Sequence, residues 1–342
     1  ALKETILTRD GKLVIRPDCY DEETEIMTDS GWVYFKDLTR EHKVAQVLVD
    51  GSREYVTPSK YVAEKYEGDM HRFKDSFGKV DLLVTPNHRM ILTQKGKERI
   101  VTADKLKQKG NFLQKMTRTA SFTTKTGDSV TPLEQLAIAF QADGSYTTTG
   151  NKIKFSFKKE RKINRLETIL KACDVKYKIY SLTDGEVEFS IKVSGNDFHK
   201  NFDWVDTTNS SKEWAESFIE ELSYWDATRR STDRFKFDTT TESVIKVVEL
   251  IALGAGYGVL ISKNEDTRSV KFSDVYTAHI LKDNLVGGQS WTNTTEHYKG
   301  MIYCVTVPTG KLLVRRNRGT MVCGNSGTPI DVICGTDSNV EN

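Results

Sequence analysis

A thiol stands near one end of the chain, at Cys19, and an amide followed by a hydroxyl stands near the other, at Asn325-Ser326. They bracket a block of 307 residues. A Cys side chain can attack the carbonyl of the residue before it, and a Ser hydroxyl can then receive the acyl group. An Asn amide can cyclise and cut its own C-terminal peptide bond. This set points to acyl transfer with the chain as its own substrate. Inside the block, Leu82-Leu83-Val84 reads as an apolar strand that delivers Thr85-Pro86-Asn87-His88 to a loop at its end. A histidine placed there can move protons during the acyl steps.

Four segments make the pattern specific. Cys19 to Ile26, with Ser30-Gly31-Trp32 and Phe35-Lys36-Asp37-Leu38 behind it, resembles the N-terminal splicing motif of inteins. Leu82 to Arg89 resembles their threonine–histidine motif. Ile302 to Val307 and Val322 to Ser326 resemble the C-terminal pair, and all four occur in the family's order. The resemblance implies that Cys19 forms a thioester at the Asp18–Cys19 bond. His88 would protonate the departing nitrogen, and Thr85 would hydrogen-bond the strained carbonyl region, with Asn87 part of the same motif. Ser326 would take the acyl group, Asn325 would cyclise, and the flanking segments would be joined as Asp18–Ser326. No cofactor is implied for splicing.

Three positions depart from the family. Gly324 stands where a histidine commonly assists Asn cyclisation, and Lys311 stands where a second one does. Cys304 replaces a common Asp, and it reads either as a further catalytic thiol or as a small strand residue. Replacing Gly324 with His is expected to speed C-terminal cleavage if the site can hold an imidazole. Asp18 is a carboxylate able to attack the neighbouring thioester. Cys19, Cys304 and Cys323 are expected to converge on one site.

These residues need elements that bring both ends of a long chain together. At 342 residues the chain should hold about two domains. The net charge of +2 excludes a global polyanion binder, so any nucleic-acid surface must be a local patch. No run of 18 apolar residues and no signal-peptide pattern is present, which reads as a cytoplasmic chain with no membrane partner. Five cysteines without C-x-x-C spacing argue against a zinc site or a disulfide framework. Residues 1–18 and 326–342 read as host segments, with a hairpin turn at Thr8 to Lys12. Strand patterns mark 19–128 and 291–325 as the two parts of the splicing domain.

The stretch 129–290 alternates helix and strand patterns and repeats itself. Leu136 to Gly144 is an apolar helix stopping at Asp143-Gly144, and Phe218 to Ala227 has the same shape, stopping at Asp226. The two aspartates are 83 residues apart, and the helical patterns that follow are 82 apart. This module resembles the LAGLIDADG homing endonucleases commonly inserted in inteins. The resemblance implies that Asp143 and Asp226 bind magnesium over duplex DNA. Lys152, Lys154 and Lys158 alternate with Ile153, Phe155 and Phe157, and Arg234 and Lys236 alternate with Phe235 and Phe237. Period two puts the cations on one face, toward the DNA.

The expected fold is therefore mixed. An all-β Hedgehog/intein-type (HINT) horseshoe carries an inserted α+β LAGLIDADG domain of pseudo-twofold symmetry, in a monomer whose own flanking segments are its substrate. Two other readings stay open: a splicing element whose endonuclease has become a DNA-binding or structural insert, and an autoprocessing domain that cleaves without efficient ligation. A plain nucleic-acid-binding protein would show neither cleavage nor ligation.

Overall fold

In the computed structural model the described residues are 5–7, 13–15, 18–106, 114–148, 151–193, 198–225, 227–264, 274–287 and 290–325. Ser326 and Asp226, both expected site residues, lie outside them. The chain divides into two units, 1–120 with 284–342 and 121–283, where the sequence reading puts the inserted stretch at 129–290.

The first unit is built from strands, because its apolar residues alternate with turn residues at short intervals. Val44–Val47 turns through Asp50-Gly51 into Arg53–Val56, with Gly51 at φ 82°, a backbone conformation that favours glycine. A large sheet runs in the order Leu285–Gly287, Gln114–Thr117, Arg89–Gln94, Gly319–Gly324, Lys311–Arg316, Thr24–Thr28, Val44–Val47, Arg53–Val56. The order interleaves the N-terminal and C-terminal parts of the chain. A second sheet pairs Lys60–Asp75 with Trp291–Thr306 along all 16 residues of each, and Asp81–Val84 joins its edge. Cys19, Tyr20, Phe73, Leu82, Val84, Met90, Ile302, Cys304, Leu312 and Cys323 meet in one buried core. Burying a side chain of this size contributes about 1.5–3 kcal/mol, so the core itself forces the two ends together. In the flanking segment Thr5–Leu7 pairs with Leu13–Ile15, as the hairpin reading expects, while the turn itself lies outside the described residues.

The chain leaves the first unit after Ala120 and returns at Asn284. A neck closes that gap: Lys115–Thr117 pairs antiparallel with Leu285–Gly287, and Arg118 N donates to Asn284 O at 2.8 Å.

The second unit repeats one topology. Helix α1 (Pro132–Asp143) begins at a capping box, where Thr131 Oγ1 accepts from Glu134 N and Glu134 Oε2 accepts from Thr131 N, with proline in the first turn. Then come two strands, α2 (Glu160–Ala172) and two more strands. The second half gives α3 (Lys212–Leu222), two strands, α4 (Glu242–Gly254) and two strands. The sheets match in order: Ser145–Tyr146, Lys152–Phe157, Val187–Lys192, Tyr177–Ser181, and Ala227–Ser231, Arg234–Thr239, Val275–Leu281, Gly258–Asn264. Arg234–Thr239 follows Lys152–Phe157 by 82 residues, and α4 follows α2 by the same 82. The strands just after α1 and α3 keep a different offset: Ser145 faces Lys154 and Thr228 faces Lys236, which sets Ser145 and Thr228 83 residues apart, the spacing of Asp143 and Asp226 in the sequence.

Candidate active site and nucleic-acid surface

The Thr85–Arg89 segment sits where both ends of the block arrive. Val84 forms a bridge with Tyr20, and Tyr20 also bridges Tyr303, with Tyr20 N to Tyr303 O and the reverse bond both at 2.9 Å. This pins Cys19, fully buried, beside Thr85. Cys19 N donates to Thr85 Oγ1 at 3.0 Å, and Thr85 N donates to Cys19 O at 3.1 Å. The threonine hydroxyl therefore touches the nitrogen of the Asp18–Cys19 peptide bond, a contact the sequence reading gives to His88.

His88 is fully buried, and its Nδ1 lies 2.6 Å from Asp18 Oδ1. Its ring packs edge-on against Tyr20, with centroids 4.5 Å apart. Among the described residues its Nε2 has no hydrogen-bond partner. Arg89 Nε donates to Asp18 Oδ2 at 3.0 Å. The Asp18 carboxylate is thus held between an imidazole and a guanidinium, and is not free to attack the neighbouring carbonyl as the sequence suggests. Asn87 is half-buried on the same turn.

The other end of the block reaches the same guanidinium. Arg89 Nη2 donates to Asn325 Oδ1 at 3.0 Å and also to the Asn325 backbone carbonyl. Asn325 is fully buried, and its Nδ2 donates to Val307 O at 3.2 Å. Tyr20 Oη donates to Gly324 O at 2.6 Å. Burial, with Cys323, Cys304 and Asp18 adding to it, pushes the Tyr20 hydroxyl well above its ordinary pKa, so Tyr20 keeps the proton it donates. Cys304 and Cys323 are both buried in the core that holds Cys19. Cys304 Sγ is 3.5 Å from Val305 O. Burial, then the Asp18 charge, pushes the Cys323 thiol up, so Cys323 is a poor nucleophile at neutral pH. Lys311 pairs with Glu98.

Gly324 does not leave an empty place for an imidazole. A Cβ there would come within 2.6 Å of Arg89 Cβ and 2.8 Å of Arg89 O. The expectation that Gly324→His speeds cleavage is therefore corrected, because Arg89 already fills that space. Arg89 and Tyr20 are the site residues that spacing did not single out. Arg89 directly follows the threonine–histidine motif and Tyr20 directly follows Cys19, and adjacency is the one signal either gives.

An ion-pair network braces the site from behind. Arg316 is within 2.9 Å of Asp21, 3.2 Å of Asp81 and 2.6 Å of Glu23. It ties the residues just after Cys19 to the strand that leads into Thr85 and to the C-terminal strands.

In the second unit the C-terminal ends of α1 and α3 are met by cations from α2. Lys162 pairs with Asp143, Arg165 pairs with the buried Glu221, and Arg161 donates to Tyr224 O. Trp225 is buried, donates Nε1 to Glu221 Oε1 at 2.8 Å, and lies beside Phe157. Among the described residues no group of three His, Cys, Asp or Glu side chains gathers to hold a metal ion. Among the described residues this acidic end holds one aspartate, Asp143, paired with Lys162, while the second expected ligand, Asp226, lies outside them. Gly144 follows α1 with φ −79°, and a Cβ there would reach 2.3 Å from Phe140 Cδ2.

The strand faces alternate as their period requires. Ile153, Phe155, Phe157, Phe235 and Phe237 are buried, while Lys152, Lys158 and Arg234 are exposed. Lys154 and Lys236 are half-buried and pair with Glu188 at 3.6 Å and Asp238 at 2.8 Å. Lys192 stands directly opposite Lys152, which extends the basic face of the first sheet.

No protein-family model matches the chain. It is 31% identical over 351 residues to ribonucleoside-diphosphate reductase subunit beta of Aquifex aeolicus (strain VF5), covering 90% of this chain. It is 37% identical over 79 residues to the ATP-dependent Clp protease proteolytic subunit of Chlamydomonas moewusii, covering 23% of this chain. The chain spans 50% of the length of the reductase subunit and 8% of the protease subunit. Among solved structures it is similar to a splice-inactive variant of the AceL NrdHF class 3 split intein. The TM-score is 0.38 at 10% identity, covering 91% of this chain and 99% of that one. It is also similar to I-DmoI in complex with DNA and Mn, with a TM-score of 0.31 at 14% identity over 44% of this chain and 88% of that one. No helix among the described residues is long and apolar enough to cross a membrane.

Proposed function

We propose that the chain is a self-splicing element of the intein type carrying an inserted homing-endonuclease-type unit. The carrying observation is that Cys19 and Asn325, at opposite ends of the block, are both buried and both held by the Thr85–Arg89 segment. The Cys19 thiol attacks the Asp18 carbonyl carbon, the C–N bond opens, and the thiol proton ends on the Cys19 amine. Thr85 Oγ1 is in contact with that nitrogen. Ser326 then displaces the thiolate, Asn325 cyclises, and an O-to-N shift joins Asp18 to Ser326. A reductase subunit and a protease subunit share sequence with this chain. Their chemistries differ, which fits an element that either gene can host. Intact mass spectrometry of the chain over hours tests the reading: splicing yields a 307-residue excised product and a 35-residue ligated one. Mass unchanged after prolonged incubation with reductant overturns it.

For the inserted unit the same reading gives duplex DNA binding through the Lys152 and Arg234 faces. A second reading, binding without cutting, is favoured by the Lys162–Asp143 pair. Incubation with magnesium and a plasmid carrying the uninterrupted host gene separates them: linear product supports the nuclease, and a retarded but uncut plasmid supports the binder.

A further inference from the structure

The chemistry of Asn325 needs a group to polarise its carbonyl, and the histidines that commonly assist are replaced by Gly324 and Lys311. We infer that Arg89 is the catalytic residue for Asn325 cyclisation, and that Asp18 restrains it until the first acyl transfer has occurred. The inference rests on the self-splicing reading and assigns a residue and an order of steps within it.

The geometry gives Arg89 the reacting atoms directly. Nη2 donates to the carbonyl oxygen of the bond to be broken, and to Oδ1 of the same residue at 3.0 Å. In cyclisation Asn325 Nδ2 attacks the Asn325 carbonyl carbon and forms the ring C–N bond. The Asn325–Ser326 C–N bond then breaks. Nδ2 loses one proton and the Ser326 amine gains one, so the step balances through solvent. Negative charge builds on the carbonyl oxygen in between, where the guanidinium already sits. Fixed donors at such an oxygen are among the largest catalytic effects known. Gly324 makes the arrangement possible, since any side chain there would collide with the Arg89 backbone.

The same guanidinium is shared. Its Nε and backbone N both donate to Asp18, at 3.0 and 3.3 Å. Asp18 is the residue whose acyl group leaves Cys19 for Ser326. While it remains attached at Cys19, its carboxylate draws down the positive charge available to Asn325. Once it transfers, that competitor leaves its place and more of the guanidinium charge acts on Asn325. Cutting the C-terminal bond too early would forfeit ligation, and the shared arginine holds it back.

The test uses the full chain in a Cys19→Ala background, where the first step is blocked and C-terminal cleavage reports cyclisation alone. Arg89→Met should slow that cleavage by about 100-fold or more, the range for loss of one oxyanion donor. Arg89→Lys should recover part of it. Asp18→Asn, in the same background, should speed it several-fold. A parallel Asn325→Ala series, read by thiol-induced cleavage at Cys19, shows whether Arg89→Met still folds and forms the thioester. Thioester formation with unchanged C-terminal cleavage in Arg89→Met overturns the inference, and so does an Asp18→Asn rate equal to or below that of Asp18. If Arg89→Met forms no thioester either, the Asp18→Asn rate decides. Absence of any cleavage in the unmodified chain would instead overturn the splicing reading itself.

Discussion

Gly324 and Arg89 form a complementary pair, one residue defined by what it lacks and the other by its reach. Because the obstacle is backbone as well as side chain, Gly324→Ala should already slow C-terminal cleavage, and Gly324→His should slow it further. Overpacking of this kind costs about 1–3 kcal/mol, and a lowered urea midpoint should accompany the slower rate. Tyr20→Phe makes a milder test. It keeps the ring against His88 and Phe35 but removes the bond to Gly324 O. The expected loss is about 1 kcal/mol in urea unfolding, together with slower reactions at both junctions, since that hydroxyl joins the residue after Cys19 to the residue before Asn325. Equal rates in Tyr20→Phe and the parent would remove Tyr20 from the site.

Strands, by contrast, are held to one another by charge as well as by core. Arg316 joins three acidic residues at the junction of the two chain halves, and Arg316→Met would leave Asp21 and Asp81 buried without it. The expected cost is about 3–5 kcal/mol, read from urea unfolding. Burial raises the pKa of Asp21, with Arg316 and Thr24 opposing. Folded Asp21 therefore binds its proton more tightly than unfolded Asp21. Its contribution favours folding below the ordinary carboxylate range and is lost as pH rises through the raised folded value. Asp21→Asn should flatten that fall, and an unchanged pH profile of the urea midpoint would count against it. Much of this level was legible in sequence. Period two placed Ile153, Phe155 and Phe157 inside, and of Ile163, Leu166, Ile169 and Leu170, which stand at helical spacing in the sequence, the last three form the buried stripe of α2 and Ile163 is half-buried. Local patterns carry such information because neighbours along a strand or helix share its faces. The partners of Arg89 were not legible, because Asp18 and Asn325 are 71 and 236 residues away and no period connects them. The acidic end of α1 was half legible: the helix and Asp143 stand where the pattern puts them, but the pairing with Lys162 depends on how α2 packs back.

For the molecule taken whole, the proposed affinity for DNA is a matter of summed charge. Changing Lys152, Lys154, Arg234 and Lys236 together to Gln should weaken duplex binding and reduce the salt slope by about 3–4, close to one for each phosphate left without its cation. Lys299→Gln, on the long ribbon of the first unit, should leave the slope as it is. A slope insensitive to the four changes would remove both sheet faces from the interface. The neck between Lys115–Thr117 and Leu285–Gly287 bears on the chain in another way. Whenever the 163 residues between Ala120 and Asn284 are unfolded, they are a loop whose ends must still be brought together. Closing a loop of that length costs about 4–5 kcal/mol of chain entropy, against about 1.6 for a six-residue turn. A shortened chain with such a turn in place of 121–283 should therefore close its sheet more readily than the intact one. The neck is in that sense a fitting of fixed bore: its pairing of Lys115–Thr117 with Leu285–Gly287 asks of any passenger only that it begin and end at the same place.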